Sequence, residues 1–373
     1  LHKAYYIGYM VKKLLKCYIS GINDNEELSC DDRDSLFNKR VEVAGTLLGT
    51  LFEQFFKKML GELSKTLKIN KNMNVDDINR PLNIINHIKP NAIEQGLRQA
   101  VTMGNFTQNR KGISQKLDRL NFLHTLSYTR RIITPSANSK NNKATSLRHL
   151  HNTQYATFCP LETPEGNNTG LLKNLALMTN ITINMNEQIP IIETFLEPYL
   201  ISIEDIDNRK LHRYFKVFMN NNWIGFIKNN KIIEAHNFLK KMRSDNEIDK
   251  YVSIILYYQN RELAIYTEEG RYTRPYLTVT NNKLNFKPEM LNKITSWNEL
   301  IMKYPHIIEY VDKEEEHNMM LAIFPSQIDK SKKIMNMDAI DNINEINKIN
   351  LVNRYDNNVF VRYTHCEFHP CMI

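Results

Sequence analysis

Along residues 3 to 19 the apolar side chains recur at helical spacing, so a helix is predicted there, followed by the polar connection GINDNEELSCDDRD. A longer helix follows from Leu36 through Val41, Ala44, Leu48, Leu51, Phe55, Met59 and Leu63, where apolar residues return every three or four positions. Asp34 is placed to cap its start. Residues 69 to 91 are rich in Asn and contain two prolines, which predicts a break. NAIEQGLRQAVTMG is again helical, and NFTQNRKGISQKLDRLNFLHTLSYTRR opens as a polar, basic loop before helical spacing resumes. SANSKNNKATS reads as a loop.

Beyond residue 180 the texture changes. YFKVFMNNNWIGFIKN predicts two strands around an Asn turn, and RELAIYTEEGRYTRPYLTVTNNKLNF adds strands with turns at Glu269-Gly270 and Asn281-Asn282. Residues 326 to 354 are dominated by Lys, Asp, Asn and Ile, the composition of a frayed helix or a surface linker. The pattern predicts an α+β, multidomain chain with an α-rich first half and a β-rich second half. At 373 residues, two to four domains are expected.

Charge shifts the picture toward an anionic partner. Lys and Arg total 49 against 41 Asp and Glu, a net charge of +8, which mildly favours nucleic acid. Five cysteines, Cys17, Cys30, Cys159, Cys366 and Cys371, are too few and scattered for a disulfide framework and suit a reducing compartment. Lys3, Lys12 and Lys13 interrupt the first apolar segment, and no later apolar run reaches membrane length, so no membrane association is expected. The chain opens at Leu1 and stops at HPCMI, and it is expected to be an internal piece of something longer.

Candidate chemistry is sparse. Asp31, Asp32 and Asp34 read as carboxylates complementing a helix N-terminus more readily than as a Mg²⁺ site. Asp205-Ile-Asp207 is a triplet frequent by chance. His365, Cys366, His369 and Cys371 are zinc-capable, yet four candidates within seven residues cannot easily enclose a tetrahedral ion, so no zinc is expected. Walker-type, HExxH, dinucleotide and G-x-S-x-G signatures are missing, so any chemistry is shared with another chain.

The densest stretch is RHLHNTQYATFCPLETPEGNNTGLLKN, residues 148 to 174. Pro164 presets a bend and Gly166 permits it, projecting Glu162 and Glu165 beside the upstream cations Arg110, Lys111, Arg119, Arg130, Arg131, Arg148 and His149. Two readings stand together. In one, the acidic bend holds some of these cations by ion pairs and leaves others for phosphates; in the other, it is a solvated loop with surface pairs.

RHLHNTQYATFCPLETPEGNNTGLLKNLALM resembles the fork of the second-largest (β-like) subunit of multisubunit DNA-directed RNA polymerases. KAYYIGYMVKKLL, DDRDSLFNKRVEVAGTLLGTLF, RELAIYTEEGRYTRP and RYTHCEFHPCMI fall in the same order as in that family. The wording is closer to eukaryotic and large-DNA-virus versions, and the Asn, Lys and Ile bias suits an AT-rich viral genome. The resemblance implies residues 1–35 as the end of the lobe, 36–95 as the second part of the protrusion and 96–179 as the fork. It further implies 180–272 and 273–345 as two external domains and 346–373 as the start of a hybrid-binding domain.

The implied function is part of a polymerase that makes RNA on a DNA template, inactive alone. The alternative is a non-catalytic nucleic-acid-binding or scaffold remnant. The implied cofactor is Mg²⁺, held mainly by the largest subunit, with none bound by this chain. Implied partners are the largest and other polymerase subunits, template DNA, the RNA-DNA hybrid and ribonucleoside triphosphates. A viral factory or virion is the implied location if the source is viral, and the nucleus otherwise. No catalytic residue is implied here. Arg110, Lys111, Gln115, Asp118, Arg119, Arg130 and Arg131 match the segment beside downstream DNA and the active centre, and Glu162 and Glu165 brace the fork. The loop TQNRKGISQ is shorter than in many cellular relatives.

Overall fold

The computed structural model describes residues 2–22, 32–69, 91–106, 111–134, 145–206, 208–328 and 362–372. In chain order its helices are α1 (His2–Ile22), α2 (Ala44–Ile69), α3 (Ala92–Met103), α4 (Phe122–Thr129), α5 (Ile189–Leu196), α6 (Ile232–Ser244), α7 (Trp297–Lys303) and α8 (Lys313–Glu316). Its strands are β1 (Arg131–Ile133), β2 (Leu172–Asn174), β3 (Asn180–Ile181), β4 (Tyr214–Met219), β5 (Asn222–Lys228) and β6 (Ser253–Tyr257). They continue with β7 (Glu262–Tyr266), β8 (Tyr272–Thr280), β9 (Lys283–Leu284), β10 (Ile308–Asp312), β11 (Leu321–Ala322) and β12 (His365–Cys366). Two compact units result. The first comprises Leu1–Val41, Leu150–Pro160 and Leu175–Ile373, and the second comprises Glu42–His149 and Leu161–Asn174.

The first unit holds two sheets. One has the order β5-β4-β7-β6, in which β4 and β5 form an antiparallel hairpin and β4 runs parallel to β7. Asn220 and Asn221 turn the hairpin with φ of 46° and 63°, the pair of left-handed positions that Asn tolerates and that matches strand twist. The expected Asn turn is therefore present. Helices α5 and α6 supply Ile192, Leu196, Ala235 and Leu239 to a core closed by Val217, Ile227, Ile254 and Leu263 of the sheet. Ile232, Ala235, Leu239 and Arg243 are the buried positions of α6, a three-four-four spacing that makes one helical face within the half expected to be β-rich.

The other sheet has the order β10-β8-β12-β11, with β3 and β9 also on β8. The turns at Glu269-Gly270 and Asn281-Asn282 differ in kind. Asn281 and Asn282, both at φ 53°, close the β8–β9 hairpin, with Thr280 opposite Lys283. Gly270, at φ 79°, instead carries the chain from β7 in one sheet to β8 in the other, and its carbonyl accepts the Val41 N–H at 2.8 Å.

Charged side chains tie these layers together. The Arg271 guanidinium, 1% exposed, donates to Asp312 at 3.1 Å, to the Ser253 hydroxyl at 2.5 Å and to the Tyr251 carbonyl at 2.8 Å. Arg243 of α6 forks onto Glu315 at 2.8 and 2.9 Å and also meets Glu309. Arg274 pairs with both oxygens of Glu367, at 2.7 and 3.1 Å, beside β12. Each buried charge is paired, which offsets the cost of taking it out of water. On α1, Tyr9 stacks against Phe218 with centroids 5.6 Å apart and donates to Glu262, while Ile7, Met10, Leu14 and Tyr18 remain exposed.

The helix expected from Leu36 begins later. Leu36–Asn38 is a single 3-10 turn whose cap is Ser35, accepting from the Phe37 N–H at 3.2 Å, and not Asp34. The chain then runs extended until α2 starts at Ala44. The Val41 N–H is taken by Gly270, and β-branched Val41 and Val43 favour the extended form.

In the second unit α2 packs on α3 through Leu51, Ala100 and Phe106, with Leu47, Phe55, Leu97 and Ile113 around them. A Cβ on Gly96 would come within 2.5 Å of the Phe55 ring, so the helices approach where the side chain is smallest. Gly104, at φ 72°, ends α3 where glycine is favoured. The expected loops at 69–91 and SANSKNNKATS, much of 326–354, and Asp31, Asp207 and Arg110 lie wholly or mostly outside the described residues. Among the described residues, no helix is long and apolar enough to cross a membrane.

Candidate nucleic-acid interface

The predicted site residues that are described all lie in the second unit. Helix α4 opens where Asn121, an extended residue, accepts the His124 N–H on its side chain at 2.7 Å. It closes at Arg130, whose N–H donates to the Ser127 carbonyl at 3.1 Å. The next residue, Arg131, starts β1, which pairs antiparallel with β2 in the register Arg131 to Asn174 and Ile133 to Leu172. Arg130 and Arg131 thus mark a helix-to-strand corner, and both are half-buried.

Tyr128 occupies the last turn of α4 and meets two of the predicted residues. The Arg131 guanidinium lies 4.8 Å from its ring centroid, and its hydroxyl donates to the Gln115 side-chain carbonyl at 3.0 Å. The Gln115 amide nitrogen donates in turn to the Gly112 carbonyl at 3.1 Å, beside exposed Lys111. Asp118 and Arg119 are exposed on the stretch leading to α4.

The bend ETPEGNNTG is locked from within. Thr169 Oγ1 donates to the Gly166 carbonyl at 2.7 Å and lies 3.0 Å from the Pro164 carbonyl, and Thr163 Oγ1 accepts the Gly170 N–H at 2.9 Å. Its cation is Arg148, whose Nη1 donates to the carbonyls of Asn167 at 2.8 Å and Thr169 at 2.9 Å. Main-chain oxygens therefore help to hold it. Glu162 accepts from the Ser127 hydroxyl at 2.5 Å, while its own carbonyl accepts from the Asn174 amide at 3.1 Å. One of the two readings of the sequence gave the acidic bend upstream cations as partners; for Glu162 the structure supplies a hydroxyl. Glu165 is exposed and makes no side-chain capping bond to the turn that follows it.

Gln115 and Arg131 are thus brought together on Tyr128, Glu162 is joined to α4, and Lys111, Asp118, Arg119 and Glu165 stand on the surface. Sequence reasoning passed over Tyr128, Ser127 and Gly170. The three-residue spacing of Tyr128 and Arg131 was a usable signal, since it brings side chains together at a helix end. Nothing local joins Arg148 to a loop some twenty residues on.

In the first unit the residues of THCEFHPC go separate ways. His365 meets Glu309 at 2.7 Å, Cys366 is buried within the sheet with its thiol pushed up to about 11 by burial, and Cys371 is exposed. Among the described residues, no three His, Cys, Asp or Glu side chains are grouped to hold a metal.

Three family profiles match in chain order: RNA polymerase Rpb2, domain 3, over residues 115–181; domain 4, over 217–280; and domain 5, over 297–370. The DNA-directed RNA polymerase subunit 2 of Acanthamoeba polyphaga mimivirus is 56% identical over 376 residues, a match that covers 100% of this chain. The chain belongs to the family of second-largest RNA polymerase subunits. Encephalitozoon cuniculi RNA polymerase II subunit RPB2 is 34% identical over 100% of this chain, and Saccharolobus solfataricus subunit Rpo2 is 32% identical over 87%. The chain spans about a third of the length of these curated relatives, 31%, 30% and 29% respectively. Within the Rpb2 domain 3 match lie Gln115, Asp118, Arg119, Arg130, Arg131, Glu162 and Glu165; Arg110 and Lys111 precede it.

Proposed function

We propose that the chain forms part of the nucleic-acid cleft of a DNA-directed RNA polymerase and that its second unit faces phosphates beside the active centre. The observation that carries this reading is the 56% identity to a polymerase subunit along the whole chain. The geometry supports it: Lys111 and Arg119 are exposed, and the Arg131 guanidinium has a ring face and no carboxylate among the described residues. Those cations would position template or transcript by backbone contacts, a contribution of placement and electrostatics to nucleotidyl transfer. The Lys111 to Arg131 region lies in the proposed fork, residues 96–179, within the layout of lobe, protrusion, fork, two external domains and hybrid-binding domain.

The Mg²⁺ of the reaction is proposed to be held mainly by the largest subunit, with this chain contributing position and charge. The partners proposed are the other polymerase subunits, template DNA, the RNA-DNA hybrid and ribonucleoside triphosphates. A giant-virus relative supports a viral factory or virion as the location, and eukaryotic relatives the nucleus for a cellular source.

The test is a complete polymerase built around the full-length subunit with Lys111→Ala and Arg119→Ala. Assembly should be unchanged, while binding to a template–RNA scaffold should weaken and its salt slope should flatten by about one unit per lost phosphate contact. The purified 373-residue chain should make no RNA by itself. An unchanged slope would favour a scaffold remnant whose basic loop is merely solvated.

A further inference from the structure

Most arginines whose side-chain partners are described give their N–H groups to oxygen. Arg148 has two carbonyls, and Arg243, Arg271 and Arg274 have carboxylates. Arg131 departs from them. Its described side-chain contact is the face of Tyr128, its Nε is buried without a hydrogen-bond partner among the described residues, and Oε1 of Glu162 accepts from Ser127. A guanidinium seated on a ring is held by its flat face, which leaves its N–H edge directed elsewhere. The same tyrosine reaches the loop of Lys111 through its hydroxyl, by way of Gln115 and the Gly112 carbonyl. Gly112 has a φ of +74°, so this loop takes a tight local path, which the Gln115 amide helps to hold.

We infer that Tyr128 is a positioning residue that sets the Arg131 guanidinium and the Lys111 loop as one unit toward the phosphodiester backbone of bound nucleic acid. The inference rests on the proposed nucleic-acid contact and adds to it which side chain orders the cations. A phosphate oxygen is then met by the N–H edge of the Arg131 guanidinium, in the geometry that a planar fork recognises. Tyr128 contributes its ring to Arg131 and its hydroxyl to the loop, and the two arms are separable by substitution.

The experiment uses the complete polymerase carrying Arg131→Ala, Tyr128→Phe, Tyr128→Leu, Gln115→Ala or Tyr128→Leu with Arg131→Ala. Binding to a template DNA scaffold is measured over a salt series, with and without an annealed RNA strand, which separates a DNA phosphate from an RNA phosphate. Arg131→Ala should flatten the salt slope by about one unit. Tyr128→Leu should match or exceed it, and the double variant should lose no more than Tyr128→Leu does. Tyr128→Phe keeps the ring, so it should retain the Arg131 slope and behave like Gln115→Ala, which cuts the same hydroxyl arm. If Tyr128→Leu fails to assemble, the agreement of Tyr128→Phe with Gln115→Ala decides the matter. Should Arg131→Ala leave binding unchanged, the nucleic-acid reading itself fails. If Arg131→Ala weakens binding while Tyr128→Leu does not, or if Tyr128→Phe and Gln115→Ala disagree, that reading stands and the role of Tyr128 is overturned.

Discussion

Gly166 and Gly170 both adopt positive φ, +82° and +73°, yet they face different surroundings. A Cβ on Gly166 would meet nothing within 4 Å, whereas one on Gly170 would lie 2.3 Å from the Arg148 carbonyl oxygen. Gly166→Ala should therefore cost only the left-handed penalty, about 1 to 2 kcal/mol. Gly170→Ala adds a backbone collision and should cost at least about 3 kcal/mol while loosening the grip of Arg148 on its two carbonyls. Urea unfolding followed by circular dichroism distinguishes them, and equal losses would contradict the close packing at Gly170. The importance of the bend itself was legible, because ETPEG combines a fixed φ with a free one. Which glycine is crowded was not, since the crowding comes from Arg148, whose neighbours in the sequence give no hint of it.

At the scale of elements, α6, α8, β10 and β12 meet around buried charge. Burial alone would raise the Glu309 carboxyl, but the Arg243 guanidinium, with His365 and Lys240, holds it well below the usual carboxylate range. Glu315 is likewise lowered against the pull of burial, chiefly by Arg243 and Lys240. A carboxyl depressed in the folded state contributes stability above its unfolded value of about 4.3 and loses it as pH falls through the folded value. Glu314 and Glu367 are raised by burial and act in the opposite sense, their contribution growing as pH falls. Comparison with Glu309→Gln isolates one group. The variant should be less stable at neutral pH, and its further loss below about pH 5 should be shallower than that of the unsubstituted chain. Fluorescence reports this unit, because Trp223 and Trp297 both lie in it. Parallel acid curves would contradict the assignment. These ties also explain what the pattern missed. The Asn220-Asn221 hairpin was readable from alternation and turn residues, whereas the passage of β7 and β8 into different sheets depends on Arg271, Ser253 and Asp312, which are distant in sequence. Helix α6 was passed over because its apolar positions are sparse among Lys, Asn and Arg.

For the whole molecule, the α+β organisation and the family were legible because short ordered segments recur along nearly the full chain, and the matches to Rpb2 domains 3, 4 and 5 follow the same order. Within the candidate site the loop and its cations were legible as residue types. Their grouping on Tyr128 and the capture of Arg148 by carbonyls required the fold. The central claim is that the unit bearing Lys111, Arg119 and Arg131 touches nucleic acid within a polymerase. Its most direct measurement places a photoreactive phenylalanine analogue at exposed Asp118 in the full-length subunit of a transcribing complex and identifies what becomes attached on illumination. The account predicts attachment to template DNA or nascent RNA at a defined distance from the growing end. Attachment to protein alone, in a complex that still transcribes, would contradict it.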